Sequence, residues 1–99
     1  MVAVIVRHQV KDYDAWKPVF DEHAQVRRQH GAAGHQLYRV SDDPNQLVIV
    51  TLFEDAAGAR AFAADPSLPE AMQRGGVEGA PDIAFAEHVE AVDYPVTVG

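Results

Sequence analysis

Leu47-Val48-Ile49-Val50-Thr51-Leu52-Phe53 reads as a β-strand buried on both faces. It is rich in β-branched residues and nearly all apolar, whereas a strand with one wet face alternates apolar and polar residues. Ahead of it, Ser41-Asp42-Asp43-Pro44-Asn45 is a turn cluster and 35–40 a second strand, so the pair forms a hairpin. Further back, Ala32, Ala33 and Gly34 link to a helix that runs to about His30 and stops at Gly31. Asp12, Tyr13 and Asp14 supply the cap; Pro18 fits a first turn, and a cap at Asp12 implies a kink there. Residues 2–8 form the first strand. Beyond the hairpin, Asp55 caps an Ala-rich helix that ends before Pro66, and Ser67-Leu68-Pro69-Glu70 is a capping box that restarts a short helix through Arg74. Gly75, Gly76 and Gly79 make a loop, 82–92 a fourth strand, and 92–99 a tail available to cross to a partner subunit, confined by Pro95 to an edge or irregular path.

The order βαββαβ predicts an α+β, ferredoxin-like domain over residues 1–99, with both helices on one face of a four-stranded antiparallel sheet. Half of the sheet is then bare although its central strand is apolar on both sides. A second copy stacked sheet against sheet covers it, which predicts a homodimer; a central strand fully covered within one protomer is the alternative.

Composition narrows the function. The 99 residues suit one domain, and a chain this short gains from a shared interface. Absence of cysteine removes disulfide frameworks, thiolate metal sites and thiol nucleophiles, and suits a reducing cytoplasm. With 8 Lys and Arg against 15 Asp and Glu, the net charge of −7 repels phosphate backbones and anionic lipid, so neither nucleic acid nor membrane is an expected partner. The apolar start from Val2 to Val6 meets Arg7 and His8 at once, too soon for a signal h-region or a bilayer span.

The first helix carries the chemistry. At about 100° per residue, Asp14, Lys17, Asp21, Glu22, Gln25, Arg28 and Gln29 share one side and Trp16, Val19, Phe20 and Val26 the other. His23, Arg27 and His30 fall within the apolar sector. Such groups meet partners on the sheet, such as Glu87, snorkel outward, or line a ligand cavity. Arg27 one turn after His23 disfavours imidazolium and keeps a general base neutral. His8 shares the parity of Val2, Val4 and Val6 and can reach the same cavity from the sheet. Tyr38 and Arg39 lie on opposite faces of their strand, and whichever faces the helices can donate to a ligand oxygen. His30, His35 and His88 read as a helix-end dipole partner and as exposed or interface histidines. No HExxH or HxH occurs, and His23 and His30 stand about 10 Å apart along a helix, so no metal is expected. The glycines lack the strand-to-helix setting of a phosphate loop.

The run His8-Gln9-Val10-Lys11-Asp12-Tyr13-Asp14-Ala15-Trp16-Lys17-Pro18-Val19-Phe20-Asp21-Glu22-His23 resembles small bacterial proteins of the dimeric α+β barrel superfamily, close to the antibiotic-biosynthesis-monooxygenase-like group. The resemblance continues through 41–45, Ala59-Arg60-Ala61-Phe62, 68–72 and 75–82. It implies ligands held between helices and sheet, in a group that includes cofactor-independent monooxygenases of polycyclic phenols, polyketide cyclases and haem degraders. Haem degraders of this kind place an axial histidine on the second helix, and 55–74 contains none. The monooxygenases place an asparagine and a tryptophan in the cavity; Trp16 is suitably placed, while the only asparagine is Asn45 in a turn. The cyclases pair a histidine base with a tyrosine, which His23 or His8 with Tyr38 could imitate.

Together these readings predict a cofactor-independent enzyme, monooxygenase-like or cyclase-like, acting on a hydrophobic oxygenated small molecule. His23 or His8 is the base, Trp16, Phe20 and Met72 are apolar walls, and Arg27 or Tyr38 stabilises negative oxygen. The competing expectation is a non-catalytic binding or scaffold dimer whose polar helix stripe meets partners within the protein.

Overall fold

In the computed structural model, which describes residues 1–96, the elements run β1 (Val2–Val10), α1 (Tyr13–Glu22), α2 (Ala24–Gln29), β2 (Ala32–Val40), β3 (Asp43–Phe53), α3 (Ala56–Ala63), α4 (Ser67–Arg74) and β4 (Val77–Glu87). The sheet is antiparallel throughout, in the order β2-β3-β1-β4, with all helices on one face. This is the expected ferredoxin-like α+β arrangement.

Residue parity decides the core. Val4, Val6, His8 and Val10 of β1 and Leu47, Ile49, Thr51 and Phe53 of β3 face the helices and are buried. Trp16, Phe20, Ala59 and Phe62 pack onto them. Phe53, Leu47, Val4 and Val10 are fully enclosed, each stabilising by about 1.5–3 kcal/mol relative to exposure. The opposite face, with Ile5, Val48, Val50, Leu52 and Ala84, has no helix over it.

Asp12 is the cap of α1, its carboxylate accepting the Asp14 N–H at 3.3 Å. Pro18 lies inside α1, yet the helix parts at His23, where a tight Val26 N–H to His23 carbonyl bond starts α2. The hairpin is tighter than expected, with β2 reaching back to Ala32 and β3 starting at Asp43. The predicted capping box does not form: Ser67 lies within α4, and Asp65 takes its N–H at 2.8 Å instead. The glycines after α4 are turn and bulge rather than loop. Gly76, at φ +78°, reverses the chain and its carbonyl accepts the Lys11 N–H, so β4 begins at Val77. Gly79, at φ +70°, lies where the β1–β4 register shifts, a left-handed position that suits a bulge glycine. β4 ends at Glu87, opposite Val2, and the His88 N–H continues to the Met1 carbonyl. Residues 88–96 follow without regular structure and exposed, and 97–99 of the expected tail lie outside the described residues.

Candidate functional site

Between α1, α2 and α4 on one side and β1 and β3 on the other lies a cavity of about 50 Å³. Its wall contains His8, Trp16, Phe20, His23, Arg27 and Met72, every candidate named above except Tyr38. Helical spacing brings Trp16, Phe20, His23 and Arg27 down one face, and strand parity brings His8 up to meet them. Trp16 stacks on Phe20 with centroids 4.8 Å apart, and His8 sits edge-on to Trp16 at 5.7 Å.

The polar groups of this wall divide into paired and unpaired. His23 is 7% exposed, and its Nε2 lies 2.8 Å from Ser67 Oγ. Burial first and then the Arg27 charge lower its pKa, with Arg74 adding and Asp65 opposing, so the ring is neutral at pH 7. His8 is buried with neither ring nitrogen hydrogen-bonded, and burial lowers its pKa too. Arg27 is 4% exposed; its guanidinium lies 3.9 Å from the Phe20 ring centroid and its Nη2 has no partner. Burial pulls its pKa down to about 10, Asp21 opposing, which leaves it cationic at neutral pH.

A hydrogen-bonded row continues behind His23. Ser67 follows Asp65, whose carboxylate accepts the Ser67 N–H at 2.8 Å and meets His30 Nε2 at 2.9 Å. His30 and Ser67 together hold the Asp65 carboxyl well below the usual carboxylate range. If Ser67 donates onward to this carboxylate, His23 donates from Nε2 and keeps its lone pair on Nδ1. If Ser67 donates to His23, the proton is on Nδ1. The partners of His23 and His30 are therefore at the α3–α4 junction rather than on the sheet at Glu87.

Tyr38 is misplaced by the sequence reading. Leu37 pairs with the helix-facing Ile49, so Tyr38, paired with Val48, projects from the bare face, half exposed and bonded to Gln36 at 3.2 Å. Arg39 has the helix-facing parity but is held at the rim, over the Tyr13 ring at 4.2 Å and on the Pro44 carbonyl. His30 pairs with Asp65 rather than serving the helix end alone. His35 is exposed as expected and packs edge-on to Phe20 at 5.0 Å. Two wall or support residues went unread. Thr51 had a signal, being the one polar residue of 47–53 and sharing parity with Leu47, Ile49 and Phe53. Ser67 had none, since it read as a cap.

No family model and no curated protein matches the chain. Solved structures do. SnoaB, a cofactor-independent oxygenase from Streptomyces nogalater, matches with TM-score 0.74 at 18% identity, over 92% of this chain and 95% of that one. A protein described as an antibiotic biosynthesis monooxygenase matches with TM-score 0.67 at 17% identity, over 91% and 100%. A Mycobacterium tuberculosis protein matches with TM-score 0.69 at 15% identity, over 93% and 98%. At such identities the likeness is one of fold: the chain has the α+β ferredoxin-like fold of antibiotic biosynthesis monooxygenase proteins. Among the described residues, no helix is long and apolar enough to cross a membrane.

Proposed function

We propose that the protein is a cytoplasmic homodimer that binds a hydrophobic, oxygenated small molecule between helices and sheet. It acts on that molecule without metal or organic cofactor, His23 or His8 removing a proton. One observation carries the reading: three polar atoms in the wall of a single cavity, both ring nitrogens of His8 and Nη2 of Arg27, are buried and unpartnered. Buried polar groups are nearly always satisfied, and leaving one bare costs about 1–3 kcal/mol. A ligand with a hydroxyl to donate to one His8 nitrogen and oxygens to accept from the other and from Arg27 would satisfy all three, while Trp16, Phe20 and Met72 take its apolar body. The cavity's about 50 Å³ holds little more than water, so a ring system enters by moving α4 side chains, the flexible Met72 first.

Neutral His23 beside cationic Arg27 suits enolate chemistry, the base taking the proton and the guanidinium stabilising the oxyanion. In the monooxygenase-like course, the carbanion of an aryl ketone's CH₂ adds O₂, and loss of water leaves C=O. In the cyclase-like course, it attacks a carbonyl of the same molecule. Similarity to a protein named as a cofactor-independent oxygenase supports the first.

The test measures the shared step. An anthrone-type ketone is incubated with protein in D₂O, anaerobically for deuterium uptake by mass spectrometry and aerobically for oxygen consumption. Enzyme-accelerated exchange should fall by about 10²-fold or more in the His8→Asn/His23→Asn double variant; exchange equal in the two proteins would remove the proposed mechanism. Binding without any acceleration would favour the second reading, a non-catalytic binding or scaffold dimer, which the existing His23 to Ser67 bond supports.

A further inference from the structure

A second cleft opens on the other side of Arg27, between α2 and β2. It measures about 250 Å³, and Arg27, Arg28, His35, Thr51, Ala24 and Gly34 are among its walls. Arg27 and Thr51 also line the first cavity, so the two spaces meet at these side chains. The chain carries a net charge of −7, yet this cleft has two arginines, a histidine and no acidic residue in its wall. Asp21, the acid that acts on Arg27, is engaged by Lys17 at 2.6 Å. Among the described residues, neither Arg27 nor Arg28 forms an ion pair.

Arg27 combines three properties: it is 4% exposed, its Nη2 is unpartnered, and its guanidinium lies over Phe20 at 3.9 Å. A guanidinium covered on its face presents its N–H groups in its own plane, the geometry that a planar carboxylate accepts in a fork. A buried guanidinium without an anion is costly, and a carboxylate at the junction of the two spaces removes that cost. Small residues leave room for it, and Arg28 extends the positive field outward.

We infer that this cleft is a carboxylate site, so that the molecule taken by the helix–sheet cavity carries an anionic group gripped by Arg27. The inference rests on the reading that this cavity takes an oxygenated small molecule.

Fluorescence titration of 2-naphthol and 2-naphthoate, alike in ring and different in charge, tests it near neutral pH. The carboxylate should bind roughly tenfold tighter or more, as expected for a charge-assisted hydrogen-bonded pair. Arg27→Met should abolish that preference, weakening naphthoate far more than naphthol. Arg28→Gln, at an exposed position that does not threaten folding, should weaken naphthoate and not naphthol. Equal affinity in the unmodified protein, or a preference that survives Arg27→Met or is untouched by Arg28→Gln, would overturn the carboxylate site. Naphthol binding without the preference defeats this inference alone; failure of both probes to bind defeats the cavity reading with it.

Discussion

At the scale of single residues, His8 and His23 couple the site to pH. Both have pKa values lowered from 6.5 by burial, so the unfolded chain binds protons more readily than the native one just below that pH. Stability therefore rises with pH through this window and is lost as pH falls below about 6.5. Melting temperature should drop between about pH 7 and pH 5, and His8→Leu, which removes one buried titrating ring, should flatten that slope. A profile unchanged by His8→Leu would mean that the ring is not buried neutral. Ser67→Ala tests the row behind His23. Loss of the 2.8 Å bond should cost about 1–2 kcal/mol in denaturant unfolding and shift the ¹⁵N resonances of His23 toward a mixture of tautomers. Measured where the variant is still folded, unchanged shifts with reduced stability would leave Ser67 a packing residue.

At the scale of elements, α3 comes against the C-terminal end of α2 at Gly58 and His30. A Cβ built on Gly58 would lie 2.2 Å from the His30 carbonyl oxygen, which is backbone and cannot swing aside. Gly58→Ala gains about 1 kcal/mol of helix propensity but forces two helices apart, and overpacking of this kind costs about 1–3 kcal/mol, so the net change should be destabilising. Thermal denaturation of Gly58→Ala should show a lower midpoint, and an increase would mean that the helices separate freely. This dependence on tertiary contact explains which parts of the site could be read beforehand. Trp16, Phe20, His23 and Arg27 were legible because helical periodicity alone aligns them, and His8 because strand parity does. The Ser67 partner of His23 stands 44 residues away, and nothing local ties them together. Tyr38 failed for a similar reason: parity separates it from Arg39, but only the pairing of Leu37 with Ile49 says which of the two faces the helices. The strand β4 began early because left-handed glycines can belong to a turn and a bulge as well as to a loop, and composition does not distinguish them.

At the scale of the whole molecule, the helices leave one sheet face bare, and that face is apolar where a solvated strand would be polar. Ile5, Val50 and Gln36 pair in one row across its middle, with Ala84 beyond Ile5, and Val48 and Leu52 flank Val50 on the same side. Water against such a surface is unfavourable by about 25 cal/mol per Å² of apolar area, so the bare face favours a second copy in the same orientation toward it. The segment after β4 adds Val89, Val92, Tyr94 and Val96, each more than half exposed, which a neighbouring copy could also cover. Packing on the bare face would brace β1 and β3, the strands that carry His8 and Thr51. Sedimentation of the unmodified protein should give the mass of two chains. Val50→Lys places a charge at the centre of the stacked sheets on both copies, where its desolvation has no compensating partner, and should yield a folded single chain by sedimentation and circular dichroism. If the unmodified protein sediments as one chain, the stacked-sheet dimer is wrong. If Val50→Lys still sediments as two, the copies meet through some other surface, and the bare face must be covered in another way.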